Sequence, residues 1–421
     1  MLDIKFIREN KDFIKKSCEK KNVKIDIDRL LEIDKKRKEN QQALDDMLAQ
    51  KNKASKLISS AKEEKEKKKI ILEMQELDKN SDRLYGDLKE SEDVMTDLML
   101  QIPNPPFEDV PVGKNDEDNV VIREVGERPK FDFKPKEYLE IAEDLDLIDV
   151  KRAAKTTGTR FGFLKRQAAL LEFALINFAY EILVKEGFIP IIPPVMLKPE
   201  MARGTGYLEA TGESEAYFFP EDKLYLIGTS EQALVALHAG EILKEKDLPR
   251  RYLGFSSCFR RESGSYGKDT KGILRVHQFD KIEMFSLTKP EDSKAEHKLF
   301  FELEERLMQA LKIPYRTINI CTADLGFPAA AKYDIEAWLP SENRYRETHS
   351  TSNCTDYQSR RLNIRYRDKD GKLSFLHTVN GTAFAIGRTL IMIIENFQQK
   401  DGSIAVPEAL QKYLDFKVIS K

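Results

Sequence analysis

The chain has no CxxC pair. Its four cysteines, Cys18, Cys258, Cys321 and Cys354, lie far apart, which argues against a zinc knuckle and a disulfide framework. No stretch approaches the roughly 20 apolar residues of a membrane-spanning helix. The N-terminal MLDIKFIREN is charged where a secretory leader would be apolar. These absences predict a reduced, cytoplasmic protein with no membrane segment and no zinc. Charge of one sign is missing too. The net charge is −2, so any contact with nucleic acid must use a local basic patch. Proline is absent from residues 28–100, which hold one glycine, Gly86. What is present is 421 residues, 41% hydrophobic and 34% charged, enough for two or more domains.

The proline-free segment reads as two long helices. Ile70, Met74, Leu77, Ser81, Leu84, Leu88, Ser91, Met95 and Leu98 follow in alternating steps of four and three, a heptad seam. An earlier stripe through Leu30, Leu44, Leu48 and Ile58 is weaker, with Arg37 and Lys51 near it. Two such helices folded back on each other bury both stripes, with the turn around Ser59 to Glu66. Each would hold about 35 residues and span roughly 50 Å. That is too long for a compact domain, so the pair is predicted to project into solvent. Its tip is basic: Lys51, Lys53, Lys56, Lys62, Lys65, Lys67, Lys68 and Lys69 face only Glu63, Glu64 and Glu66. Such a run is either a solvated helix face or a surface for phosphates, which lysines contact without sequence selectivity. Prolines at 103, 105, 106 and 111 then end the helix. The expected domains are a helical arm over 1–102, a linker with one short strand (NVVIREV) over 103–129, and a mixed body over 130–421.

Several segments of the body carry chemistry. FRRESGSYGKDTKGILRVHQFDKIE, from Phe259 to Glu283, reads as a hairpin with a glycine-rich polar loop (Gly264, Gly267, Gly272). Arg260, Arg261 and Arg275 flank that loop beside Glu262 and Glu283. A guanidinium fork grips phosphate or carboxylate with two parallel bonds. Leu170 to Val184 is apolar at helical spacing, and the extended FIPIIPPVML with Pro193 and Pro194 follows. KLYLIG reads as a strand, and TSEQALVALHAGEIL as a helix capped by Thr229 or Ser230 with Glu231 in its first turn. In RYRETHSTSNCTDYQSRR, Glu347 and Ser350 offer hard oxygens suited to Mg²⁺, whereas the imidazole of His349 does not. NGTAFAIGRTLIMIIENFQ is a strand running into a helix with Arg388 at the junction.

These segments, in this order, resemble motifs of the class II aminoacyl-tRNA synthetases: the strand with the late Pro194 motif 1, the Arg260 hairpin motif 2, and the Arg388 junction motif 3. The HQFDKIE ending and the long arm resemble the seryl enzymes of bacterial type. The resemblance implies an α+β fold: a long antiparallel coiled-coil hairpin followed by a catalytic domain on an antiparallel β-sheet flanked by helices. It implies a serine–tRNA ligase that forms seryl-adenylate from ATP and then charges tRNA(Ser), with tRNA(Sec) as a further candidate. A homodimer through the region of Pro194 is implied, and Mg²⁺ accompanying ATP. The matching positions imply Arg260, Glu283 and Arg388 as catalytic. Thr229, Ser230, Glu231, Arg260, Glu283 and Thr382 would bind serine. Arg260, Arg261, Glu262, Val276, Phe279, Glu347, Thr348, His349, Ser350 and Arg388 would bind ATP, with Glu347 and Ser350 on the metal. The eight tip lysines would meet tRNA. Three positions depart from the common seryl pattern: Thr382 and Ala383 replace serine and glycine, and Tyr138 stands where histidine is frequent. A relative that loads a carrier protein would lack the arm, and a non-catalytic coiled-coil protein would have no use for Arg260, Glu283, Glu347 and Arg388 together.

Overall fold

The computed structural model describes all residues except 61–62, 210–211 and 264–270, and omits the side chains of 66, 212 and 213. Residues 1–19 with 23–102 form one compact unit, and 20–22 with 103–421 another.

In the first unit, helices α1 (Ile27–Ser60) and α2 (Glu64–Leu100) pair along their length. Every seam position from Ile70 to Leu98 is buried or half-buried, while Leu72 and Tyr85, off the seam, are exposed. The seam serines are satisfied within their own helix. Ser81 Oγ donates to the Asp78 carbonyl (2.9 Å), and Ser91 Oγ to that of Asp87 (2.7 Å). The weaker α1 stripe is completed by ions. Asp34 is buried and gathers Arg8 (3.1 Å), Arg37 (3.2 Å) and Lys38 (3.4 Å). Lys51 pairs across the hairpin with Asp78. Its ammonium therefore works in the seam, unlike those of Lys53, Lys56, Lys65, Lys68 and Lys69, which are exposed, and of the half-exposed Lys67. Lys62 and the centre of the expected turn lie outside the described residues.

The second unit is built on an eight-stranded sheet. Its strands are β1 (Val120–Val125), β2 (Ile189–Ile191), β3 (Arg250–Phe259), β4 (Gln278–Thr288), β5 (Tyr315–Asn319), β6 (Ala331–Leu339), β7 (Arg344–Thr355) and β8 (His377–Ala385), in the spatial order β1-β5-β6-β7-β8-β4-β3-β2. All neighbours are antiparallel except β2, which runs parallel to β3 at the edge. Strand β1 falls within the expected linker yet forms the opposite edge. Three helices, α3 (Arg166–Lys185), α5 (Ser293–Leu311) and α6 (Ile386–Asn396), contribute Leu175, Phe178, Phe300, Leu307 and Ile391 to one core with Ile282, Met284, Ile335 and Phe384 of the sheet. Because side chains alternate along a strand, Lys281 and Glu283 point the other way. On that second face the short helix α4 (Ser230–Ala236) packs Leu234 and Val235 on Phe285 and Leu287. The face is otherwise open, and the site lies there.

Two expectations change, and one polar run that carried no predicted structure finds its place. The helix begun at Thr229 ends at Ala236, and Ile242–Lys244 is instead a strand parallel to Arg365–Arg367. The polar run RYRETHSTSNCT is strand β7, central in the sheet. Its hydroxyls face a cavity or bond to neighbouring backbone, so no apolar pattern announces it. Helix α3 has the length and apolarity of a spanning helix after all. Seven of its residues, among them Leu171, Leu175, Phe178 and Leu183, are buried in the core, which accounts for that composition in a core helix.

Leu44 is buried in the arm seam, so Leu44→Ala should cost the arm about 2–4 kcal/mol. In denaturant titrations followed by circular dichroism, the arm transition should move to lower denaturant.

Candidate active site

The open face of β4, β7 and β8 walls a cavity of about 670 Å³. At one corner Thr229 caps α4, its hydroxyl accepting from the Glu231 amide (3.4 Å). The cap turns Glu231 inward. Its carboxylate accepts from Tyr207 Oη (2.7 Å), Gln358 Nε2 (2.8 Å) and Asn380 Nδ2 (3.0 Å). Burial, then the charge of Glu283, pushes its pKa up to about 7. Ser230 points away, its hydroxyl donating to the Gly254 carbonyl (3.3 Å), and does not line the cavity.

Beside this corner Glu283, 2% exposed, pairs with Lys281 (2.5 Å) and accepts from Thr382 Oγ1 (3.5 Å). Thr382 reaches that position because β8 carries a bulge. The register runs Ile282 to Phe384, then Glu283 to Thr382, leaving Ala383 unpaired. The bulge shifts side-chain parity by one, so Ala383 and Phe384 both enter the core while Thr382 faces the cavity. Ala383 has no left-handed backbone angle, so its methyl group is accommodated without strain.

A second bulge, at Thr348 of β7, follows the Ile335–His349 pair and precedes Glu336–Glu347. It places Glu347, Thr348 and Ser350 together on the cavity wall. Arg388, at the start of α6, donates to the Glu347 carbonyl (3.0 Å) and pairs with its carboxylate (3.1 Å). Burial opposes the Glu347 charge, but Arg388, Lys332 and Arg260 outweigh it and hold the pKa below the usual value. Next to them Asp334, opposite Ser350, has a buried Oδ1 without a hydrogen-bond partner. Burial pushes its pKa up to about 7. This oxygen-only set fits a hard divalent cation that is held mainly by a nucleotide's phosphates. No cluster of three or more His, Cys, Asp or Glu suited to a metal occurs among the described residues.

At the hairpin, Arg260 Nε donates to the Gly228 carbonyl (3.2 Å), with its guanidinium 5.4 Å from the centre of the Phe279 ring. Val276, Phe279 and Glu262 also line the cavity, and Glu262 is 3.4 Å from Arg275. Arg261 lies instead over Tyr217, 5.5 Å from its ring centre, off the wall. Gly264 and Gly267 lie outside the described residues. Gly272 is described, and its φ of +75° suits glycine. The departure at Tyr138 has a consequence here: the tyrosine hydroxyl accepts the Ile273 amide (2.8 Å) at the foot of the loop.

His349 is not on the wall. It lies buried on the core face, its ring 5.8 Å from Phe384. Burial pushes its pKa down to about 4. Sequence reasoning missed Tyr207, Lys281, Gln358 and Asn380. Lys281, Gln358 and Asn380 lie inside the quoted segments, and a buried carboxylate's need for partners was the available signal.

The family described as "Seryl-tRNA synthetase N-terminal domain" matches residues 1–106. That described as "tRNA synthetase class II core domain (G, H, P, S and T)" matches residues 217–397. Among curated relatives, the serine–tRNA ligase of Thermobifida fusca is 45% identical, with 100% of this chain and 99% of the relative covered. That of Rubrobacter xylanophilus is 42% identical with the same coverage. The crystal structure of seryl-tRNA synthetase from Pyrococcus horikoshii complexed with ATP superposes with a TM-score of 0.92 at 38% identity, covering 100% of this chain and 99% of that one.

The raised pKa of Glu231 has a thermodynamic consequence. A carboxyl whose folded pKa exceeds its unfolded value binds more protons when folded, so stability falls as pH rises between the two. Glu231→Gln removes that cost. Its melting temperature should exceed wild type at pH 8, by an effect on the order of 2–3 kcal/mol, and converge with it near pH 4.5 in calorimetry.

Proposed function

The chain belongs to the seryl-tRNA synthetase family, and from that premise we propose how its residues divide the work of joining serine to tRNA. The first reaction makes a bond between a serine carboxylate oxygen and the α-phosphorus of ATP and breaks the bond to the departing pyrophosphate. No covalent enzyme intermediate is needed, so catalysis is positioning and charge stabilisation. Glu231 receives the α-ammonium, with Thr229 fixing the turn that aims it. Glu283 and Thr382 receive the side-chain hydroxyl. Alanine in their place leaves both unpaired in a buried site, which a polar pocket penalises strongly. The observation that carries the serine reading is this pair, brought together by the Ala383 bulge beside Glu231.

Arg260 bridges the serine carboxylate and the α-phosphate. Glu262 and the Val276 backbone hold the adenine edge, and Phe279 stacks on its face. Arg388 takes the γ-phosphate. Glu347 and Ser350 are the residues to hold Mg²⁺, with Asp334 beside them. When bound, Mg²⁺ neutralises charge on the phosphate oxygens. In the second reaction a hydroxyl of the terminal adenosine of tRNA attacks the acyl carbon, and AMP leaves.

Residues 1–102 serve as the tRNA-binding arm, joined through 103–129 to a catalytic domain over 130–421. The exposed tip lysines 53, 56, 65, 68 and 69 supply phosphate contacts. A homodimer forms over α3 and β2, where Leu170, Phe173, Val184, Ile189 and Ile192 are exposed, Ile192 at 81%. An apolar stripe on this scale is typical of an interface. The four cysteines, all free and buried, suit the cytoplasm.

Glu283→Ala should lower serine-dependent pyrophosphate exchange at least a hundredfold. An exchange rate near wild type would remove the pocket from this reading. Deleting residues 35–95 with a short linker should leave exchange intact but abolish charging of tRNA and most of the salt dependence of tRNA binding. A truncated protein that charges tRNA at the full rate would make the arm a structural element.

A further inference from the structure

The two bulges sit side by side. The pairing of β7 with β8 includes Thr351 opposite Gly381. The ladder stops at that pair; beyond it His349, two residues from Thr351, meets the backbone of Ala383, two residues from Gly381, on the core face. Ala383 is the unpaired residue of the β8 bulge, and His349 directly follows Thr348, the unpaired residue of the β7 bulge. The His349 ring fills the space between them. Its Nδ1 is 2.8 Å from Thr348 Oγ1, and that hydroxyl is 3.2 Å from the Ile335 carbonyl. On its other side it meets the Ala383 backbone and the Phe384 ring. Nε2, the ring nitrogen not committed to β7, is buried toward the Ala383 backbone but makes no well-aligned hydrogen bond there.

We propose that His349 is a positioning residue that ties the two bulges together from beneath the sheet, aligning the Glu347–Ser350 wall with the Thr382–Glu283 pair. It touches neither substrate. Bulges set side-chain parity but add an unpaired residue and local freedom. Without a tie, β7 and β8 could each relax along their own bulge. The nucleotide wall and the hydroxyl pocket lie on adjacent strands, so such relaxation misplaces one reactant against the other. Small misplacements of that kind reduce rate steeply. The ring suits the task because its two nitrogens point in different directions, one to each bulge. The inference rests on the reading of Thr382 as a serine contact and of Glu347 and Ser350 as nucleotide contacts. Stabilisation of the wild-type protein by serine and by ATP with Mg²⁺ tests that reading separately.

Three variants of the full-length chain decide the matter. His349→Phe keeps the ring and loses both nitrogens. His349→Asn keeps a polar group near Nδ1, and His349→Gln one near Nε2. The readouts are the melting temperature alone, its rise with serine, its rise with ATP and Mg²⁺, and pyrophosphate exchange. The Phe variant should melt within a few degrees of wild type, bind both ligands up to about tenfold more weakly, as expected when reacting groups are slightly misplaced, and exchange more slowly. Asn should restore the response to ATP with Mg²⁺, and Gln the response to serine. A Phe variant that binds both ligands like wild type overturns the proposal, as does one that loses stability alone. If the Phe variant does not fold, Asn and Gln decide: the crossed pattern supports the tie, and equal behaviour toward the two ligands overturns it.

Discussion

Strand parity is the constraint on which the site depends. Alternate residues of a strand face opposite sides of a sheet, so a regular strand can present only every second residue to a cavity. Strand β7 must place Glu347 and Ser350 on one wall, three positions apart. Strand β8 must face Thr382 into the cavity while sending Phe384, two positions on, into the core. Neither is possible without an extra residue. The bulges at Thr348 and Ala383 supply it, and they explain why short polar segments hold so many cavity-facing positions in so little length.

Buried charge is the second organising element. The buried Glu231 and Glu283 and the half-exposed Glu347 line one cavity, with the buried Asp334 behind its wall, and unpaired buried carboxylates are costly. The chain answers three of them locally and leaves Asp334 Oδ1 without a hydrogen-bond partner. Lys281 lies on Glu283, Arg388 on Glu347, and Tyr207, Gln358 and Asn380 around Glu231. Glu231 still keeps a pKa raised to about 7 by burial and by Glu283, so it lacks a full countercharge. In the proposed reading an incoming ammonium completes it, and serine binding then relieves an existing cost.

The arm obeys different physics. It has no broad core, so a narrow seam must hold two helices of 34 and 37 residues together. Aliphatic residues carry the α2 side, while α1 relies on Asp34 and Lys51 with their partners. Drawing Lys51 into the seam shows how a charge run divides once folded: one member holds the structure, while Lys53, Lys56, Lys65, Lys68 and Lys69 stay exposed.

Much of this was legible in the chain itself. The heptad seam of α2, the hairpin of β3 and β4, and the strand-to-helix junction at Arg388 follow from local periodicity, and these features depend on neighbours a few residues away. The resemblance of the motifs then placed Arg260, Glu283, Glu347 and Thr382 in one site, and the fold brings all four to one cavity. Tertiary structure alone decided the rest. That RYRETHSTSNCT is a central strand, that His349 faces away from the cavity and that Asn380 faces into it depend on register between strands distant in sequence, while Ser230 on α4 and Arg261 beyond β3 turn away through their contacts with Gly254 and Tyr217. A single inserted residue reverses the facing of everything beyond it, and hydrogen-bond pairing between strands, not composition, determines where that residue falls.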